Sequence, residues 1–130
     1  MTLILDTAIL INIERREKSV IEKIEEIIKT DPVPASITFV NYFEFIYGLK
    51  LKSQQNREKS MKFIEEFHCL QTTKETALIL SNLKHKYEKS GKPVSLADMI
   101  IASQAIENNM TLVTTDKQFA EIEELKKIIL

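Results

Sequence analysis

The chain has 130 residues, enough for one domain, and its single cysteine rules out an internal disulfide. Its 18 basic and 19 acidic residues give a net charge of −1, which argues against a generally basic nucleic-acid-binding protein. With only two glycines, the sequence contains neither a Walker loop nor a dinucleotide-binding fingerprint, and two histidines are too few for the usual zinc sites. Any chemistry must therefore come from other side chains.

The sequence has no segment suited to a membrane. Its longest uncharged stretch, residues 32–43, is too short to cross a bilayer. The apolar amino terminus is interrupted by Asp6 and has no basic segment before it, so we expect no signal peptide. We predict a cytoplasmic protein with a single domain, residues 1–130.

Short apolar strands alternate with helices along the first part of the chain. The pattern of apolar residues and breakers predicts a strand at residues 2–6, a helix at 7–15, an amphipathic helix at 19–29, a break at 31–34, a strand at 35–38 and an aromatic helix from 39 to about 51.

The alternation continues to the carboxyl terminus. We predict an amphipathic helix at residues 56–67, a weak strand at 69–71, a long helix at 73–90 with an inner stripe of Ala77, Leu80, Leu83 and Tyr87, a helix at 95–108, a strand at 111–115, a short helix at 117–125 and a last strand at 127–130. This order predicts a three-layer α/β/α domain with a mainly parallel central sheet.

Four acids stand at the ends of apolar segments or inside them. Asp6 and Asp116 each follow a predicted strand, Asp98 precedes an apolar helical run, and Glu44 lies within the aromatic helix. The carboxyl ends of parallel strands meet at one edge of a sheet, and buried carboxylates need partners or a metal ion. If the fold brings the four together, their oxygens suit a hard cation such as Mg²⁺ or Mn²⁺.

Three of these acids also have a purely structural interpretation. Asp6 and Asp116 could accept a backbone N–H at the start of the helix that follows each of them. Ser95 and Asp98 have the spacing of a capping box, although Glu or Gln is usual at the second position. Taken singly, each acid is better explained as part of a helix cap.

Glu44 is harder to explain as a solvent-facing residue, because both adjacent residues are Phe. Gly48, one turn later, destabilises a helix by about 1 kcal/mol relative to Ala and suggests that another group approaches closely. The structural alternative is a polar helix edge on which Glu44 is hydrogen-bonded to Asn41 or Tyr47.

Small and hydroxyl side chains accompany the acids. Ala102 and Ala105 share a helix side with Asp98, so that side could press against the sheet. Three threonines adjacent to the outer acids could hydrogen-bond to metal ligands or to bound water: Thr7, Thr114 and Thr115.

Two surface features suggest partners, and each has a simpler alternative. Basic residues could contact a phosphate backbone, although most such runs are solvated helix faces: Lys50, Lys52, Arg57 and Lys59. The aromatic helix carries more large apolar side chains than one core-facing stripe needs. It could form a homodimer interface, or it could be buried on two sides within the monomer.

Together these motifs resemble those of PIN-domain proteins, and the size and spacing are similar to VapC-type toxins of toxin–antitoxin pairs. The resemblance covers essentially the whole chain. The motifs are Leu5-Asp6-Thr7, Ser36-Ile37-Thr38 followed by Glu44 and Gly48, Asp98 with its apolar run, and Thr114-Thr115-Asp116-Lys117-Gln118-Phe119. The resemblance implies an RNA-cleaving, Mg²⁺- or Mn²⁺-dependent ribonuclease whose catalytic and metal-binding residues are Asp6, Glu44, Asp98 and Asp116.

The resemblance also implies a homodimer and a protein antitoxin that covers the site, but some residues depart from the family pattern. Ala8, Thr115 and Gln118 stand where Ser or Asn, Asn, and Asp are frequent, which bears on metal affinity and rate. One alternative is a catalytically silent module that binds RNA or a partner. Another is a phosphohydrolase with an aspartyl nucleophile, which Ala8 disfavours because that chemistry usually needs a second Asp there.

Overall fold

The computed structural model describes residues 2–29 and 34–130, which contain a five-stranded, fully parallel sheet. The strands are β1 (Leu3–Leu5), β2 (Ser36–Ile37), β3 (His68–Cys69), β4 (Thr111–Thr114) and β5 (Lys127–Ile129). Their order across the sheet is β3-β2-β1-β4-β5. The first strand is therefore central, and β4 is its direct neighbour although 106 residues of sequence separate Leu5 from Thr111.

Helices cover both faces of the sheet. Within the described residues they are α1 (Thr7–Glu14), α2 (Lys18–Lys29), α3 (Phe39–Gly48), α4 (Gln54–Ile64), α5 (Lys74–Ser90) and α6 (Leu96–Glu107), with 3₁₀ helices at Leu49–Leu51 and Lys117–Glu121. The prediction of an α/β/α domain with a parallel sheet is confirmed. None of the described helices is long and apolar enough to cross a membrane.

Alternate residues of β1 supply the two hydrophobic cores, as the two-residue period of a strand requires. Ile4 packs with Leu83 of α5 and Ala102 of α6. Leu5 points to the opposite face, where it packs with Ile9 of α1. All five side chains are buried, and β1 is apolar throughout because it faces a core on each side.

The inner stripe of α5 differs from the prediction at its first position. Ala77 is exposed, and Thr76 is buried instead. Thr76 lies one turn before Leu80, and its hydroxyl donates to the Glu107 carboxylate of α6. The stripe therefore begins with a polar contact, which apolar periodicity alone does not predict.

Two other elements are shorter than predicted. The helix expected at residues 117–125 is a 3₁₀ helix that ends at Glu121. Ile122 and Leu125 are still buried, but in an irregular segment whose carbonyls accept from the Lys127 ammonium group. The weak third strand covers His68–Cys69 rather than residues 69–71. Residues 31–33 of the predicted break lie outside the described part of the chain.

Candidate active site

The strand order brings two of the predicted acids to the same edge of the sheet. Asp6 follows β1 and Asp116 lies two residues after β4, and Leu5 pairs with Val113 in the parallel register. The backbone N–H of Asp6 donates to the Val113 carbonyl at 3.0 Å, which extends the pairing beyond the assigned strand. Both acids therefore lie at the carboxyl end of the sheet, where α/β proteins form their sites.

The Asp6 carboxylate is held by three hydrogen bonds. Its Oδ1 accepts from the backbone N–H of Thr7 at 2.9 Å and from the Asn41 amide at 3.0 Å, and its Oδ2 accepts from the Thr114 hydroxyl at 2.6 Å. Asp6 is only 8% exposed. A carboxylate has about four lone-pair directions. Three of them accept hydrogen bonds here, so one lone pair, on Oδ2, remains for another ligand.

Thr114 also connects the two acids that follow the strands. Its hydroxyl donates to Asp6 and accepts from the backbone N–H of Asp116 at 3.0 Å. The prediction placed Thr115 beside it in the same role, but within residues 2–29 and 34–130 its side chain makes no hydrogen bond to any of the four acids. Thr115 lies just after the end of β4.

Glu44 reaches the site through Thr7. The Thr7 hydroxyl donates to Glu44 Oε1 at 2.7 Å and so links the start of α1 to the middle of α3. Glu44 is exposed, contrary to the expectation from its two Phe neighbours. Its hydrogen-bond partner in the described part of the chain is Thr7, rather than Asn41 or Tyr47. Gly48 does not mark a close approach within the described chain, because a Cβ added there would meet nothing within 4 Å.

Asp98 shows that all four acids share one electrostatic environment. Burial, opposed by a hydrogen bond with Ser95, and then the negative charges of Asp116, Asp6 and Glu44 raise the pKa of Asp98 from its ordinary 3.8 to about 6. No ion pair compensates these charges in the described part of the chain. The structure thus brings together the four acids that the sequence predicted.

The helix caps predicted as alternatives are present as well. Asp6 caps α1, Asp116 caps the 3₁₀ helix by accepting from Gln118 N–H at 2.9 Å, and Ser95 caps α6 by accepting from Asp98 N–H at 3.1 Å. Capping and convergence are therefore compatible, because a carboxylate that accepts one backbone N–H keeps other lone pairs free.

The sequence interpretation missed Asn41, which is fully buried beside Asp6. Its amide nitrogen donates to Asp6 and, at 3.2 Å, to the Thr7 hydroxyl. Its carbonyl oxygen accepts from both the backbone N–H and the hydroxyl of Thr38. The sequence signal was a polar residue inside an aromatic run, three residues after a Thr that could cap a helix.

The donor set suits a hard cation, because it consists of carboxylate oxygens whose negative charges are not balanced by nearby cations. Among the described residues, however, no three Asp, Glu, His or Cys side chains lie close enough to form a complete metal site. A cation placed between the acids would offset the negative charges that help to raise the pKa of Asp98.

The four predicted RNA-binding side chains do not form one patch. Lys50 and Arg57 line a groove of about 310 Å³ whose walls include Phe43, Tyr47 and Met61. Lys52 and Lys59 line a second groove of about 300 Å³ with Glu14 and Arg15. Lys52 pairs with Glu14 at 3.2 Å and extends into a third cleft of about 190 Å³ that Glu44 also lines.

The outer face of α3 is apolar and open to solvent. Phe39, Phe43 and Tyr47 recur every fourth residue and are 55%, 53% and 66% exposed, and the last two rings stack at 5.9 Å. Leu51 continues the row and is 95% exposed. The opposite side of α3 is buried within the monomer, where Val40 packs in one core and Phe45 in the other, so burial within the monomer accounts for part of the apolar surface but not for this row.

Comparison with known proteins agrees with this geometry. The PIN domain family model matches residues 3–125. The chain belongs to the PIN domain family. The resemblance inferred from the four acidic motifs is therefore confirmed.

Curated proteins similar to this PIN domain have nearly the same length. Ribonuclease VapC1 of Haemophilus influenzae (strain R2866) is 29% identical, covering 97% of this chain and 96% of that protein. Ribonuclease VapC2 of Rickettsia felis is 26% identical, covering 96% and 95%.

Solved structures share the fold over the full chain. VapBC2 from Rickettsia felis, bound to a DNA fragment from its promoter, matches with a TM-score of 0.86 and 24% identity, covering 100% of this PIN domain and 99% of that chain. VapBC-1 from nontypeable Haemophilus influenzae matches with a TM-score of 0.78 and 27% identity, covering 99% and 98%.

Proposed function

We propose that this PIN domain is a ribonuclease that depends on Mg²⁺ or Mn²⁺ and acts as the toxin of a toxin–antitoxin pair. The observation that supports the proposal is the hydrogen-bond network at the carboxyl end of the sheet, in which the Thr114 hydroxyl connects Asp6 to Asp116 and the Thr7 hydroxyl donates to Glu44. The negative charges of these three acids also help to raise the pKa of Asp98. The relatives named ribonucleases support RNA as the substrate.

Each acid has a proposed role. Asp6 and Asp98 would hold the cation directly, Asp116 would hold it directly or through water, and Glu44 would hold it or orient the attacking water. When bound, the cation lowers the pKa of a water molecule and offsets charge at the scissile phosphate. The resemblance to the family implies products with a 5′-phosphate and a 3′-hydroxyl.

The chain's own hydrogen bonds prepare these roles. Thr7 N–H, Asn41 and Thr114 hold the Asp6 carboxylate in one orientation, so little rotational freedom is lost when a ligand binds to its remaining lone pair. Thr7 keeps Glu44 turned towards α1. Preorganisation of this kind lowers the cost of assembling the site.

Basic side chains beside the site would hold the RNA backbone. Lys52 lines a cleft together with Glu44, and Lys59 lines the neighbouring groove that Lys52 also lines. Lys50 and Arg57 line the groove on the side of α3 that carries the aromatic residues. Contact of Lys52 with a phosphate would replace its partly exposed ion pair with Glu14, which is a weak interaction.

The proposal includes two protein partners. A second copy of the chain would cover the exposed row of Phe39, Phe43 and Tyr47. The row is a continuous apolar patch, whereas single exposed apolar residues need no partner. An antitoxin would cover the acids, and the matched VapBC assemblies support such a partner. A basic side chain inserted among the acids would offset their charges.

The test of activity compares RNA cleavage by the purified protein with Mn²⁺, with Mg²⁺ and with EDTA. We expect cleavage only with a divalent cation, and a loss of at least about 100-fold in the Asp98→Asn variant. Glu22→Gln is the matched control, because it removes an exposed acid from α2, far along the chain from the site.

Intact RNA with the wild-type protein in Mn²⁺, together with measurable RNA binding, would instead favour the silent binding module. Hydrolysis of a small phosphoester that is lost only in Asp6→Asn would favour an aspartyl nucleophile. Equal activity of Asp98→Asn and the wild type would contradict the proposed site.

Sedimentation tests the dimer separately. We expect Phe43→Lys to shift the protein from dimer to monomer, because a lysine ammonium at the centre of the aromatic row would be desolvated in the interface. Leu78→Lys is the matched control, since Leu78 is 61% exposed on α5 and lies outside that row. A monomeric wild-type protein would contradict this part of the proposal.

A further inference from the structure

We propose that Asn41 is a positioning residue that orients Asp6 directly and Glu44 through Thr7, and thereby sets the cation affinity of the acid site. The inference rests on the proposed function, because it assigns a role to a residue beside the proposed metal ligands. It adds a residue that the acidic motifs do not include.

The orientation of the Asn41 amide is fixed by Thr38. The backbone N–H of Thr38 lies 3.1 Å from one terminal atom of Asn41, and because an N–H only donates, that atom must be the amide oxygen. The Thr38 hydroxyl donates to the same oxygen at 2.7 Å. The amide nitrogen therefore faces Asp6, with both of its hydrogens available.

Those two hydrogens are used by two parts of the site. One is donated to Asp6 Oδ1 at 3.0 Å and the other to the Thr7 hydroxyl oxygen at 3.2 Å. Because Thr7 accepts from Asn41, its own hydrogen is directed to Glu44, which it meets at 2.7 Å. One amide thus sets the geometry of acids on two different elements.

Another fully buried amide in the chain makes a different set of contacts. Gln104 accepts from the backbone N–H of Phe39 and donates to the carbonyl of Leu70, each at 3.1 Å. It therefore connects α6 to α3 and to the end of β3 through main-chain groups alone. Loss of either amide leaves buried polar groups unpaired, which costs about 1–3 kcal/mol per group. Only loss of Asn41 removes a donor from the acids.

The experiment compares Asn41→Ala with Gln104→Ala. Mn²⁺ affinity is measured by calorimetry on folded protein without RNA, and kcat and KM for RNA are measured separately. We expect both variants to lose stability, but only Asn41→Ala to weaken Mn²⁺ binding by about 10–100-fold. We expect kcat at a fixed, subsaturating Mn²⁺ concentration to fall with the affinity, while KM for RNA stays near the wild-type value.

A second pair of variants tests the relay if Asn41→Ala does not fold. Thr7→Val removes the hydroxyl at nearly constant volume, and Thr7→Ser keeps it. We expect weaker Mn²⁺ binding in the first and near wild-type binding in the second. In a folded Asn41→Ala background, Thr7→Val should add less than it does alone, because both changes interrupt the same path to Glu44.

The outcomes separate this inference from the proposed function. A wild-type protein that neither binds Mn²⁺ nor cleaves RNA would overturn the proposed function itself. If the wild-type protein binds Mn²⁺ and cleaves RNA, the variants then decide whether Asn41 has the positioning role. Unchanged Mn²⁺ affinity in Asn41→Ala, equal weakening in Gln104→Ala, or equal affinities of Thr7→Val and Thr7→Ser would overturn the positioning role alone.

Discussion

Two regions of the molecule contain partly buried acids, and the pKa values of these acids shift in opposite directions. At the carboxyl end of the sheet, Asp98 is surrounded by three further acids, and its pKa is raised to about 6. Near the end of α5, Glu124 accepts from the Tyr87 hydroxyl at 2.6 Å and from the Lys86 ammonium at 3.1 Å. Burial raises the pKa of Glu124, but these hydrogen bonds outweigh burial and the net pKa is lowered.

The difference separates a functional arrangement from a structural one. Around Glu124, hydroxyl and ammonium groups satisfy the carboxylate, and the contacts join α5 to the segment before β5. Around Asp98, the fold leaves the charge repulsion in place. A fold that tolerates such repulsion without a cation of its own has the electrostatic character of a binding or catalytic site.

The largest expected effect that separates the two regions is stabilisation by Mn²⁺. At about 100 times its dissociation constant, Mn²⁺ should increase the free energy of unfolding by about 2.7 kcal/mol. Thermal unfolding with and without Mn²⁺ measures this increase. Asp98→Asn should lose most of it and Glu124→Gln should keep it, since only the first removes a proposed ligand.

A smaller effect is the pH dependence of stability. The folded pKa of Asp98 is above its unfolded value of 3.8, so the stability from this group is fully present below about 3.8 and is lost as the pH rises through about 6. Without metal, Asp98→Asn should therefore stabilise the protein near neutral pH by about 1 kcal/mol, a value reduced from the full shift because Asp98 is only half-buried.

Urea unfolding at about pH 7.5 and about pH 4 measures this gain, which should largely disappear at the lower pH. Glu124→Gln should show the reverse sign. Its lowered folded pKa gives stability that is present above the unfolded value and is lost as the pH falls through the folded pKa. If Asp98→Asn instead lowered the free energy of unfolding at neutral pH, the charge of Asp98 would not be repelled by the other three carboxylates.

The smallest expected effect is that of Lys86→Gln. Its side chain is 49% exposed, and its ion pairs with Glu123 and Glu124 at 3.5 and 3.1 Å are screened by solvent. We expect only a slight loss in unfolding free energy, smaller than the effects of the variants above. A loss as large as that of a Tyr87→Phe variant would mean that the ammonium group holds Glu124 as strongly as the Tyr87 hydroxyl does.

The sequence was sufficient to predict the sheet and the acids because both depend on local patterns. Apolar runs that end at Asp6 and Asp116 mark strand ends, and parallel topology then brings those ends together. Ser95 was a recognisable cap for the helix of Asp98. The positions of these residues can be inferred from the adjacent sequence and the fold class alone.

The remaining contacts depend on geometry between distant segments. The Asn41 amide meets Asp6 across 35 positions, and the hydroxyl partner of Glu44 lies 37 positions away. Ala77 was predicted to face the core but is exposed. Thr76 is buried instead, because its hydroxyl donates to Glu107, a residue of a later helix. Hydrophobic periodicity carries no information about such side-chain pairs.

The capping of α6 by a hydroxyl rather than by its acid has an evolutionary consequence. Ser95 supplies the oxygen that receives the helix N–H, so position 98 is free to change from carboxylate to amide without loss of the cap. If Asp98 has its proposed role, a single nucleotide change could then turn the chain into an inactive copy of the same shape. Such a copy would retain the surfaces of the parent and compete with it for whatever binds them.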